Sequence, residues 1–246
     1  MNRPVKIMFL AFLFFIASCG EPDPAVISRN NSQQYPLNNA KAISPDDLRA
    51  VYSFNIPADQ KKGDELPPQP GTIVFGKTVM GSKSTDTKWT AFTLVLALDN
   101  GKFKILSQKR AISPGLGSLE TAGGHLKGGQ SWRDGALEEL SQEANINARK
   151  EFLVFQQING PGLSKTTGEH YGNSNFFIVF DQKPLTKVTS SEVNASYGHQ
   201  WTEAKILFRD VQQEQLRKGR NHGKYSGFFR GQVIDFCTRV VDCNVL

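Results

Sequence analysis

The sequence predicts an α/β domain, on three observations. Segments at 72–79, 90–98, 103–107, 152–157, 175–180 and 204–208 read as strands. Between them, Ser131 to Asn145 carries helix start and stop signals around an apolar stripe. A last segment places Tyr225, Phe229, Val233, Phe236 and Val240 at helical spacing, giving a closing helix with one apolar face.

Residues 1–18 hold Arg3 and Lys6 and then an apolar run from Ile7 to Ile16, too short for a stable membrane span and patterned as an export signal. The run ends in Ile16-Ala17-Ser18-Cys19, which resembles a bacterial lipobox. That resemblance implies cleavage before Cys19, lipidation of Cys19, and, with Gly20 rather than Asp next, an outer-membrane lipoprotein anchored to the membrane by its lipid. The alternative is a plain secretory signal with an incidental cysteine. Loss of the leader lowers the formal charge from +6 to +4. No long basic stripe with interleaved aromatics appears, so nucleic acid is not an expected partner.

Residues 19–66 are expected to form a tether with one short helix. Gly20 to Ala42 is polar and rich in Asn, Gln, Ser and Pro. Ser44-Pro45-Asp46-Asp47 supplies an N-cap, an N1 proline and first-turn acids for a helix to about Tyr52. The compact domain is expected at 67–246, large enough for a core of its own. Within it, Asp99-Asn100-Gly101 is a hairpin turn, because Asn-Gly accepts the positive φ of a type I′ turn. Lys109 and Arg110 close the return strand, either as phosphate-binding cations or as solvated charges. Arg217 to Lys224 is a basic loop that meets phosphates, anionic lipid or nothing. Cys237 and Cys243 either stay free or pair; pairing requires the helix to end between them, since six helical residues separate Cα atoms by about 9 Å.

The chemistry concentrates in Glu120 to Ile146. Gly123 and Gly124 allow a tight backbone bend. Ser131 is a good N-cap with Asp134 three residues on, Ala136, Leu137, Leu140 and Ala144 form the buried stripe, and Asn145 suits a left-handed end. Glu139 and Glu143 stack one turn apart, with Glu138 and Gln142 beside them. Like charges so spaced repel by roughly 0.2–0.5 kcal/mol per pair, and a hard divalent cation would reverse that sign. A solvated acidic helix face is the alternative.

In register from Gly124 to Ile146, this stretch resembles the Nudix box, G-x5-E-x7-R-E-U-x-E-E-x-G-U with U a bulky aliphatic. Gly124, Glu139, Leu140, Glu143 and Ile146 match; Gln130, Glu138, Gln142 and Asn145 stand where the family has Glu, Arg, Glu and Gly. Glu120-x-x-Gly-Gly is similar to the lead-in of ADP-ribose and sugar-nucleotide pyrophosphatases. The resemblance implies a Nudix-like α/β/α sandwich with a mixed β-sheet. It implies Mg²⁺ or Mn²⁺ on Glu139 and Glu143 with Glu120 and Gln142. It further implies a nucleotide-like substrate near Lys109, Arg110, Gly123 and Gly124, and cleavage of a pyrophosphate bond. Asn159 to Glu169 is similar to the segment that can carry the family's general base, which makes Glu169 a catalytic candidate beside Glu139, with His170 behind it. Glu138 either joins the metal shell or accepts a hydrogen bond from Gln130. The competing function is a catalytically silent lipoprotein that uses the fold to bind a ligand or protein.

Overall fold

The computed structural model describes residues 41–68, 87–112, 115–163, 169–183, 188, 190–191, 196–217 and 223–244. The leader, Cys19, the tether up to residue 40, the strand expected at 72–79 and most of the basic 217–224 loop lie outside the described residues.

Seven strands form one mixed sheet: β1 (Thr87–Asp99), β2 (Lys102–Arg110), β3 (Leu119–Glu120), β4 (Ala122–His125), β5 (Val154–Leu163), β6 (His170–Phe180) and β7 (Ser196–Glu203). The path runs β3-β2-β1-β6-β5, with β4 on β1 and β7 on β2. β1 and β6 pair in parallel and the other pairs are antiparallel. The β1–β2 hairpin turns at Asn100 (φ 52°) and Gly101 (φ 75°), the positive values its type requires.

Helices cover both faces. Alternate residues of a strand face opposite sides, and the burial follows that rule. Ala91, Val95, Phe176 and Ile178 pack with Trp132, Ala136, Leu140 and Ala144 of the acidic helix α2 (Trp132–Ala144). Leu94, Leu96, Phe177 and Val179 pack with Leu207, Phe208, Phe229, Val233 and Phe236 on the other side. Each fully buried Val, Leu, Ile or Phe among them contributes on the order of 1.5–3 kcal/mol. The second face is built by α3 (Ala204–Leu216) and α4 (Gly227–Asp235), the latter continued by one π turn, Phe236–Val240. That turn ends the helix and lets Cys243 fold back onto Cys237, where the two are disulfide-bonded with Cα atoms 4.9 Å apart.

Several boundaries differ from the sequence expectation. The described end of the expected tether, residues 41–66, is part of the body: Ala42, Ile43, Leu48, Phe54 and Ile56 are buried, and Ala42 bridges Phe180. Leu48 sits on α1 (Pro45–Ala50), capped by Ser44 as expected, and Phe54 packs on Phe103, Phe177 and Phe236. The compact unit therefore begins well before Pro67. Ala204 to Phe208 is helix rather than strand; Ala204, Leu207, Phe208 and Val211 form a buried stripe at helical spacing. The strand in that region is β7, just upstream, and β5 continues through the Asn159–Leu163 stretch expected to be loop.

Candidate functional site

β1 pairs with β4 at residues 90–93 but with β2 at 96–99, so the sheet divides beyond Thr93. Gln108 of β2, Glu120 of β3, Gly123 of β4 and Glu143 of α2 come together beside this notch. Thr121 spans it, its hydroxyl donating to the Thr93 carbonyl. Helix α2 starts and stops as its sequence dictates: the Ser131 hydroxyl accepts from the Asp134 N–H, and Asn145 takes the left-handed conformation at φ 52°. Those caps set the register that aims Glu143 into the notch.

Glu143 is only 6% exposed. Its Oε2 accepts from the Gly123 N–H at 2.8 Å and from Gln108 Nε2 at 2.9 Å. Burial raises its pKa from the ordinary 4.5 to about 8; the two hydrogen bonds oppose that rise, and the charges of Glu120 and Glu139 add to it. At neutral pH the lone carboxyl is therefore protonated.

Two residues of this network were not singled out from sequence. His199 follows Gly198, whose positive φ of 58° sits in the bulge between β7 and β2. The His199 Nε2 lies 2.8 Å from the Glu143 carbonyl oxygen and 3.2 Å from Gln108 Oε1. Both partners are acceptors, so Nε2 carries the proton. Burial lowers the imidazole pKa, opposed by the bond to the Glu143 backbone. Gln108 thus receives from His199 and donates to Glu143. Gln108 stands between Ser107 and Lys109 at the polar end of β2, so its sequence carries no signal for this role.

The other expected site residues divide into three groups. Glu120 is held by Arg110, whose Nη1 lies 3.2 and 3.4 Å from its oxygens; burial still raises its pKa against that cation. Glu139 lies over Gly124, where an added Cβ would come within 2.4 Å of its Oε1, so only glycine leaves the carboxylate its place. Glu138 turns to the outer side: it accepts from Gln130 Nε2 at 2.7 Å and from Gln142 Nε2 at 3.0 Å, and it pairs with Lys127. These bonds, the Lys127 contact foremost, lower its pKa. Of the two roles open to Glu138, the structure shows the hydrogen bond from Gln130. Lys109 lies 6.0 Å over the Tyr197 ring, leaving Arg110 as the cation at the carboxylates. Glu169 stands at the head of β6, 2.5 Å from Lys88 Nζ and 2.5 Å from the Tyr171 hydroxyl. Its neighbour His125 has a lowered pKa, through burial first and then the Lys88 charge.

Among the described residues, no group of three or more His, Cys, Asp and Glu side chains is placed to hold a metal ion. In donor type, however, Glu120, Glu139 and Glu143 suit a hard divalent cation: all are carboxylates, and the charges of the first two push up the pKa of the third. A buried carboxyl whose hydrogen bonds do not offset its burial is the feature that a nearby positive charge would relieve.

No family model matches the sequence, and no curated protein matches it. Solved structures similar to it include a MutT/nudix family protein from Enterococcus faecalis, 14% identical over 48% of this chain with a TM-score of 0.42. The match covers 44% of that protein, less than half its length. The NUDIX domain of Shewanella oneidensis NrtR, complexed with ADP ribose, is 13% identical over 53% of this chain and 88% of its own, with a TM-score of 0.41. A NUDIX hydrolase from Nitrosomonas europaea is 14% identical over 65% of this chain and 96% of its own, with a TM-score of 0.45.

Proposed function

We propose that the chain is a divergent, metal-dependent Nudix-type hydrolase that cleaves a pyrophosphate bond in a nucleoside diphosphate linked to another group. One observation carries this reading: a glycine turn and a capped helix bury Glu143 beside Glu120 and Glu139, at an energetic cost that a divalent cation would remove. Glu139 and Glu143, with Glu120, would hold Mg²⁺ or Mn²⁺. The ion's chemistry is to neutralise the diphosphate and acidify water. Gln108 and the Gly123 N–H fix one oxygen of Glu143, and His199 holds Gln108 in the orientation that donates. Arg110, already at the carboxylates, is the cation for a phosphate oxygen. Of the two candidate bases, Glu139 is the better placed, because it shares the Gly123–Gly124 turn with Glu143. Glu169 is bonded at both oxygens to Lys88 and Tyr171.

The test is Mg²⁺-dependent phosphate release, after phosphatase coupling, from a panel of nucleotide sugars and dinucleotides. Loss of release in Glu143→Gln and Glu139→Gln is expected; full activity in both ends the reading. The silent binding module is favoured by a different observation, the Arg110–Glu120 pair where a third ligand is needed. Ligand binding without turnover in the same panel would select it. Export and lipidation at Cys19 complete the proposal; labelled palmitate should enter the wild-type chain and not Cys19→Ala.

A further inference from the structure

One end of the sheet gathers exposed apolar tips beside cations that no carboxylate holds. The turn from β2 to β3 is closed by the Arg110 N–H donating to the Ser118 carbonyl at 2.9 Å and the Gly117 N–H to the Arg110 carbonyl at 2.8 Å. Gly115 (φ 89°) and Gly117 (φ 79°) take the left-handed geometry that glycine adopts most readily. Leu116 stands between them, 68% exposed, and Ile112 is exposed on the same turn. Beside this turn runs the segment that follows α3. The Leu119 N–H donates to the Lys224 carbonyl, and the Ser226 N–H to the Leu119 carbonyl, both at 2.8 Å. Glu214, near the end of α3, accepts from the Lys224 and Tyr225 N–H groups at 3.1 and 3.3 Å. Leu216 comes two residues later, 81% exposed, and then exposed Arg217. A single bare leucine needs no explanation; apolar tips on adjoining loops beside cations form a pattern.

The charge at this end is uneven. Its carboxylates are already paired: Glu120 with Arg110 at 3.2 Å, Glu214 with Arg230 at 2.6 Å and Asp210 with Lys224 at 3.4 Å. Lys109 is exposed and lies over the ring of its register partner, Tyr197. Neither Lys109 nor Arg217 is paired with a carboxylate among the described residues. Exposed leucines, a half-exposed tyrosine ring and long-stemmed cations are the side chains that settle at the boundary of a bilayer. The leucines enter the acyl region, the ring lies at headgroup level, and the cationic heads reach the phosphates.

We propose that this end of the domain, with Leu116 and Leu216 as its tips and Lys109 and Arg217 as its cations, docks on a membrane surface that carries anionic phospholipid. Unpaired positive charge complements the headgroup phosphates. The tips stand on two loops rather than on a flat face, which suits entry between headgroups. Docking brings the Arg110–Glu120 pair, which brackets the β2–β3 turn, to the membrane boundary. The contact is made by the folded body and requires neither hydrolysis nor an acyl chain at Cys19.

The experiment uses the full chain with Cys19→Ala, so that no acyl chain contributes and the remaining cysteines are the bonded Cys237 and Cys243. An environment-sensitive thiol dye is attached at Leu116→Cys, at Leu216→Cys, or at Val51→Cys as a control. Val51 is 66% exposed, and its neighbour Tyr52 packs on Phe103 at the opposite end of β2. With vesicles of phosphatidylcholine and phosphatidylglycerol, dye at 116 and 216 should shift blue and be quenched by a lipid-borne nitroxide. Dye at 51 should do neither. Phosphatidylcholine alone should give no shift, and about 0.5 M salt should reverse the shift by screening the cations. In the chain labelled at 116, Arg217→Ala should lower the ratio of docked to free protein about fivefold. Leu216→Ser should lower it about fivefold or more. No shift at either tip overturns the proposal. An equal shift at 51 also overturns it, assigning the contact to the leader. A shift at 116 that grows with protein concentration without vesicles overturns it as well, assigning this face to a second copy of the chain.

Discussion

Glu143→Gln should remove the pH dependence that one buried carboxyl imposes on folding. The substitution keeps the side-chain shape and an oxygen to accept from Gly123 and Gln108. It removes the titrating proton. In the folded chain that proton is lost at about pH 8, against 4.5 for an ordinary glutamate. Below pH 4.5 both folded and unfolded states are protonated, and the group's stabilising contribution is fully present. Between 4.5 and 8 the unfolded state ionises while the folded state does not, so stability falls by about 1.4 kcal/mol per pH unit. Above about 8 both states are ionised and the slope vanishes. The whole span amounts to about 5 kcal/mol. Urea unfolding of both proteins at pH 5, 6.5 and 8, without metal, should show the difference moving in favour of the glutamine by roughly 3–5 kcal/mol. The shifts of Glu120, His125 and His199 act in both proteins and largely cancel in the difference. Parallel stability curves for the two proteins would refute the claim that Glu143 is buried uncharged beside two other carboxylates.

The same proton makes metal uptake pH-dependent: Mn²⁺ binding at pH 7 should release close to one proton, read by calorimetry in two buffers of different ionisation enthalpy, and Glu143→Gln should release none. The two turn glycines should behave differently. An Ala at 123 would put its Cβ 2.5 Å from the Ala91 carbonyl and 2.3 Å from Phe92, so Gly123→Ala should lower stability by several kcal/mol. The three atoms nearest an Ala Cβ at 124 all belong to the Glu139 carboxylate, the far end of a flexible side chain, so Gly124→Ala should keep its Tm within a few degrees while losing most activity. Arg133, 4% exposed, bonds Asp64 at 3.0 Å and the Gln60 carbonyl at 2.7 Å; Asp64→Ala should cost about 1.5–3 kcal/mol by urea denaturation. Replacing Cys237 and Cys243 with Ala should cost about 2 kcal/mol, because the bond closes only a short loop.

Local rules wrote the helix that carries the carboxylates. Ser131, the 136–140–144 stripe and Asn145 are a start, a buried face and a stop that act within a few residues of each other, and the structure keeps all three. The Asn-Gly hairpin and the apolar face of the closing helix were legible for the same reason. Long-range packing decided the rest. Ala204 to Phe208 alone reads as a short apolar run, and only the continuation to Val211 against the sheet makes it a helix. The segment around Leu48 and Phe54 looks like a linker because its apolar residues are few. It belongs to the core because the aromatic cluster of Phe103, Phe177 and Phe236 has room for them. The site divides in the same way. Sequence placed Glu139 and Glu143 one above the other, since helical pitch requires it. Only the folded sheet brought Gln108 and His199, from strands 35 and 56 residues away, to the Glu143 side chain and carbonyl, where a carboxylate becomes a buried acid.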